Sequence, residues 1–183
     1  MKQKVAAWMG GVGLVVLCAV GQVEAAPVLG GQMFVQGTGD VVAEFLGSES
    51  AYDNILFLHT PTHVNNIFHN HVTPVGTQYN LGSFPVGTEL VFGIEVLNTD
   101  SGYYSGPGVG NPDGIPHAIV DDMYAPNTTW VGFEDLYGGG DKDYNDVMFA
   151  FHNVGSHVPV PEPSTLLLLA SGFGGLLLRR RLV

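Results

Sequence analysis

The chain of 183 residues is poor in several things, and each shortage removes a class of function. It has one cysteine, Cys18, inside an apolar N-terminal run. A cysteine nucleophile and a disulfide framework are therefore both excluded from the remainder. Leu17 precedes Cys18 where a lipoprotein signal wants a small residue, which argues against lipidation there. Basic residues are scarcer still. Four positions at or near the N-terminus and the C-terminus (Lys2, Lys4, Arg179 and Arg180) and Arg181 leave Lys142 alone between Ala26 and Val158. One lysine and fifteen acids across that span set a formal charge of −14, with histidines neutral. Nucleic-acid binding needs Lys and Arg to meet phosphates, so it is excluded, as is docking on anionic lipid. No Ser/His/Asp elbow, nucleotide loop or zinc-protease helix is present, so a non-enzymatic role is expected. No stretch of the interior carries sustained helical periodicity with caps.

What remains reads as strands and turns. The clearest strand is Thr88–Asn98, where Leu90, Phe92, Ile94 and Val96 alternate with Val91, Gly93, Glu95 and Leu97 and should face the core. Gly93 is expected to mark a bulge or a close contact. Further candidates are VLGGQMFVQ and VVAEFL within Val28–Leu46, Asn54–His59, a weak one near Thr77–Leu81, Ile115–Tyr124, Thr128–Phe133 and Asp146–Phe151. Thr99–Gly114 holds five glycines and two prolines and is expected to be an irregular loop. About eight short strands divided by Gly/Pro turns predict an all-β, antiparallel β-sandwich, with jelly-roll-like connections among the options.

The centre of the chain is Trp130–Phe149, WVGFEDLYGGGDKDYNDVMF. Two apolar runs flank a loop with three glycines and the oxygen donors Glu134, Asp135, Asp141, Asp143, Asn145 and Asp146. Like charges this close repel unless water, salt or a cation offsets them. Calcium accepts several carboxylate and carbonyl oxygens in flexible geometry, so it is the expected ion. Asp141, Asp143 and Asn145 alternate and would share one side of an extended backbone. Gly138, Gly139 and Gly140 would let Glu134 or Asp135 fold back onto them. An EF-hand is rejected, because Asp146 stands at the glycine position and His152 at the closing glutamate. The alternative is a solvated acidic loop. Asn111 and Asp113 are further candidate ligands, with His117 orienting them or facing solvent.

Two other groups of side chains invite a function. His59, His63, His69 and His71 crowd one stretch, and His69 with His71 could ligate a transition metal from one strand face. A solvated His/Asn-rich connection is the favoured account. Tyr103, Tyr104 and Tyr137 could stack on sugar rings, or Tyr103 and Tyr104 could cover the core edge. A calcium-dependent carbohydrate-binding module built on them is the alternative function. A polysaccharide hydrolase would need two opposed carboxylates about 5–9 Å apart.

The ends read as targeting signals. Residues 1–25 form a secretory signal peptide: a charged start, an apolar run from Val5 to Val20 and small residues at Val23-Glu24-Ala25. The β-sandwich is expected over 26–154 and a linker over 155–160. Residues 161–183 then carry Pro161-Glu162-Pro163, an apolar span and Arg179, Arg180 and Arg181. The span of roughly 16 residues is a little short of the ~20 of a full crossing, and its arginines should stay cytoplasmic.

The tail closely resembles the PEP-CTERM sorting signal. That resemblance implies recognition by an exosortase, cutting near Pro161–Pro163, transient anchoring in the inner membrane, and a final place at the cell surface or in extracellular polysaccharide. The stretch GFEDL-x-GGGD-x-D-x-ND-V-x-F resembles the C-terminal motif of a family of exported bacterial domains of unknown function. Asn111-Pro112-Asp113-Gly114-Ile115-Pro116-His117 is similar to a second motif of that family. The resemblance covers Thr88 to Phe151. It implies a β-rich, calcium-associated exported domain and no known activity.

Overall fold

The computed structural model describes residues 26–157. The expected signal peptide (1–25) and the sorting tail with its membrane span (161–183) lie outside the described residues. Among those described, no helix is long and apolar enough to cross a membrane.

Twelve strands follow in order: β1 (Val28–Leu29), β2 (Phe34–Val35), β3 (Asp40–Gly47), β4 (Asn54–Thr60), β5 (Val64–His69), β6 (Gln78–Ser83), β7 (Val91–Val96), β8 (Ser101–Tyr104), β9 (Ala118–Ala125), β10 (Thr128–Phe133), β11 (Val147–His152) and β12 (Val154–Gly155). Every pairing is antiparallel. One sheet has the order β1-β9-β10-β11-β3-β6, the other β5-β4-β7-β8, and β12 pairs with β2 as a small third ribbon.

The period of two in the sequence decides which faces meet. Val41, Ala43 and Phe45 of β3, Val131 and Phe133 of β10, and Val147, Phe149 and Phe151 of β11 are buried on one sheet. Leu56 and Leu58 of β4 and Phe92, Ile94 and Val96 of β7 oppose them from the other. Phe92 stacks on Phe151 with ring centroids 4.1 Å apart, and Phe68 stacks on Phe149 at 6.1 Å. These contacts close a sandwich whose core runs from Met33 to Val154, all inside the described residues. Each fully buried large apolar side chain contributes about 1.5–3 kcal/mol, so this interior is the main stabilising term.

Several elements differ from the sequence-based expectation. The expected strand over VLGGQMFVQ is two short ones, β1 and β2, parted where Gly30 takes φ 67°. Thr99–Gly114 is not irregular throughout: Ser101–Tyr104 form β8, an edge strand on β7, and Gly108–Gly110 form a 3-10 turn. Strand β8 has a partner on one side only and brings two apolar residues, too few to print a pattern in the sequence. Asn54–Thr60 and Val64–His69 form a hairpin, so the histidine-rich stretch is partly strand. Strand β11 starts at Val147, because Asp146 turns back toward Asp135. At the end of the domain Gly155 belongs to β12, and Ser156 hydrogen-bonds Asp122, so the first linker residues are held.

Candidate cation site

Strands β10 and β11 are a hairpin in register from Thr128↔His152 to Phe133↔Val147. The residues between them, 134–146, form a loop that folds back over β10. Gly132 is where it touches: a Cβ there would overlap the carbonyl oxygen of Tyr144. The loop closes through left-handed backbone at Gly138, Gly139 and Gly140 and also at Lys142 (φ 65°) and Tyr144 (φ 56°). The run Asp141–Asn145 is thus coiled rather than extended, yet the Asn145 side chain still meets that of Asp143.

The structure divides the predicted ligands into separate groups. Glu134, Asp141 and Asp143 converge, each offering a carboxylate oxygen within 4.8 Å of the others. Glu134 is fully buried, while Asp141 and Asp143 are exposed. The Glu134 backbone is fixed on both sides by His117: its N–H donates to the His117 carbonyl (2.9 Å), and its carbonyl accepts from His117 Nδ1 (2.9 Å). Its Oε1 accepts from the Tyr144 N–H at 2.6 Å. Its Oε2 is buried and has no partner, and it points at Gly140, where a Cβ would strike it. Burial raises the Glu134 carboxyl above its ordinary value, and the charges of Asp141 and Asp143 add to the rise. An unpaired buried carboxylate oxygen is costly. A bound cation would remove that cost.

Asp135 and Asp146 form a second, neighbouring group. Adjacent residues of an extended chain project oppositely, so Asp135 points away from Glu134. The Asp135 N–H donates to Asp146 Oδ2 (2.9 Å), and Asp135 Oδ2 accepts from Asn54 Nδ2 (2.7 Å) and from Ser50 Oγ. Burial next to Asp135 and Glu134 pushes Asp146 up to about 7. Asn145 lies beside the first group: its Nδ2 donates to Asp143 Oδ2 (2.7 Å) and to Glu49 Oε2 (3.3 Å).

The two upstream candidates serve the scaffold. Asn111 Oδ1 accepts from the Tyr104 N–H (2.7 Å), and its Nδ2 donates to the carbonyls of Tyr104 and Ile115, clasping the 104–115 loop. Asp113 accepts from His117 Nε2 and from the Gly138 N–H, both at 2.8 Å. Burial alone would raise Asp113, but these donors and the Ile115 N–H outweigh it and hold the carboxyl down at about 2. His117 is fully buried, and both of its ring nitrogens face oxygen acceptors. It stacks on Tyr103 at 3.8 Å. The chain Asp113–His117–Glu134 therefore fixes the root of the acidic loop, a role for His117 that the i, i+4 spacing from Asp113 could have signalled.

The other candidates fall elsewhere. Tyr103 is 2% exposed and belongs to the core, so it presents no stacking face. Tyr137 is 73% exposed beside the acidic loop, and Tyr104 lies on the outer face of the four-stranded sheet. His69 Nε2 and His71 Nδ1 both reach Asp53 Oδ1, at 3.2 and 3.0 Å.

Residues 41–153 match the model of a family described as Domain of unknown function (DUF4114). Residues 159–181 match the PEP-CTERM protein-sorting motif, which marks an exported protein for exosortase processing at the membrane. No curated protein matches the chain, and no solved structure does.

Proposed function

The chain belongs to the family described as Domain of unknown function (DUF4114), and from that premise we propose that its sandwich is a non-catalytic module held in shape by calcium. The protein is an exported exosortase substrate. After processing, the module works at the cell surface or in extracellular polysaccharide. The observation that carries the calcium assignment is the convergence of the Glu134, Asp141 and Asp143 carboxylates, with Glu134 Oε2 buried and without a partner. All three donors are oxygens on a flexible glycine-rich loop, which suits calcium better than magnesium, since magnesium demands near-ideal octahedral geometry. Glu134, Asp141 and Asp143 would hold the ion, which would supply the positive charge that the domain otherwise lacks. His117 and Asp113 keep Glu134 in place whether or not the ion is bound.

The hydrolase alternative is weaker. Glycoside hydrolysis places two carboxyl groups on opposite sides of a sugar, whereas Glu134 is fully buried and converges with Asp141 and Asp143 on one point. A calcium-dependent carbohydrate patch keeps only Tyr137 beside the loop, because Tyr103 is buried.

Thermal unfolding of residues 26–157 in EDTA, then in millimolar calcium or magnesium, tests the assignment. A rise with calcium that exceeds the rise with magnesium, and that is lost in Asp141→Ala, is expected. Equal small rises with both ions would reduce the loop to charge screening.

A further inference from the structure

The four-stranded sheet carries a second feature on its solvent side. Alternation sends Leu56, Leu58, Phe92 and Ile94 into the core and leaves Phe57, His59, Glu95 and Tyr104 facing out. Gly93 is the register partner of both Phe57 and Tyr104. A Cβ on Gly93 would lie 2.5 Å from Phe57 Cζ, so only glycine admits that ring over the middle strand. Phe57 and Tyr104 meet edge to face at 5.8 Å. His59 packs against Tyr104 at 4.9 Å, and His63, from the turn between β4 and β5, against Phe57 at 5.7 Å. Four rings thus gather on the solvent side of that sheet.

Two cavities adjoin this cluster, of about 570 and about 400 Å³. The first is bordered by Phe57, His63, Glu95 and Asp100, the second by Glu89 and Val91, and both share His59 and Tyr104. The result is one trough running past the His59–Tyr104 pair. An aromatic floor edged by imidazole, amide, hydroxyl and carboxylate groups suits a ligand that has both apolar faces and hydroxyls.

We propose that this trough binds a polysaccharide built of uncharged or amino sugars. Ring faces match the C–H faces of pyranoses, while the imidazoles and Asn65 supply hydrogen bonds to hydroxyls. Glu89, Glu95 and Asp100 line the trough on a domain of charge −14, which repels uronates and sulfated glycans and attracts an ammonium group. The assignment rests on the module being extracellular and non-catalytic, and it uses none of the cation ligands.

The test is isothermal titration calorimetry on the full-length chain in detergent micelles. The probes are hexameric glucan, mannan and chitosan oligosaccharides, with an alginate hexamer as the polyanion, each in EDTA and in calcium. At least one of the first three should bind in both buffers and alginate in neither. Tyr104→Ala should weaken binding about tenfold, as loss of one stacking ring does, while Tyr104→Phe retains it. Should Tyr104→Ala fail to fold, the exposed Glu95→Gln serves instead, lowering the preference for chitosan over glucan. Absence of binding by all three probes overturns the proposal, as does undiminished binding by Tyr104→Ala. Binding abolished by EDTA would move the glycan to the calcium loop, which also overturns it. Zinc binding lost in His59→Ala, with no saccharide bound, would make the rings a metal site instead. Failure of the calcium assignment is read separately, from the thermal shift.

Discussion

Replacing Glu134 by glutamine should stabilise the cation-free domain and abolish its response to calcium. Gln Oε1 can still accept from the Tyr144 N–H, and Nε2 takes the place of the oxygen that has no partner. That amide faces Asp141 and Asp143, which are acceptors, so a repulsive contact becomes a donating one. One such bond contributes about 1 kcal/mol. The unfolding entropy of a domain of roughly 130 residues is about 0.28 kcal/mol/K, so 1 kcal/mol raises Tm by about 4 °C. Calcium at a hundred times its Kd stabilises the wild type by about 2.7 kcal/mol, or about 10 °C on the same scale. The variant lacks the buried charged ligand and should gain only a degree or two, a small fraction of that shift. In EDTA the variant therefore melts above the wild type, and in calcium below it. Differential scanning calorimetry in the two buffers reads both orders. A variant that keeps the full calcium shift would show that Glu134 is not a ligand. A variant that falls by more than ~5 °C in EDTA would show that the carboxylate is satisfied without an ion.

Asp146 gives the cation-free domain a pH dependence. Its carboxyl titrates at about 7 in the fold against 3.8 when free, so the folded state holds its proton longer. Its contribution is full below about 4 and is lost as pH rises to about 7. The urea midpoint in EDTA should fall between pH 5 and pH 8, and Asp146→Asn should flatten that slope. Asp113 acts with the opposite sign. Held at about 2 in the fold, it adds stability above 3.8 that is lost as pH falls through about 2. Asp113→Ala leaves the buried His117 Nε2 without its hydrogen-bond partner and should cost about 1–3 kcal/mol, measured by urea unfolding; an unchanged midpoint would show the pair to be dispensable.

Much of the fold was legible because its strands repeat with a period of two. Leu90, Phe92, Ile94 and Val96 print the inward face of β7, and all four are buried. Gly93 was visible as an exception to that pattern, but its reason, the ring of Phe57, comes from the neighbouring strand. Strand β8 was hidden because an edge strand of four residues within a Gly/Pro-rich stretch owes its form to β7, not to its own propensity. The acidic loop was recognisable as a place where charge must be offset. Its division was not, since Glu134 and Asp135 differ only in which side of the backbone they leave. The left-handed residues Lys142 and Tyr144, which coil the run from Asp141 to Asn145, carry no glycine to announce them. Asn111 looked like a ligand because an amide oxygen suits calcium, yet the same oxygen satisfies the Tyr104 backbone.

The scarcity of basic residues has a consequence for how an exported chain withstands proteases. Trypsin-like enzymes cut after lysine or arginine, and residues 26–157 offer them one bond, Lys142–Asp143. That bond sits between two acids of the cation cluster. A nick there would leave β11 and β12 paired to β10, β3 and β2, so the two pieces stay joined by their sheets. It would, however, sever Asp141 from Asp143. An ion held by both acids would shield the one bond that such enzymes can cut, and its loss would open that loop to them.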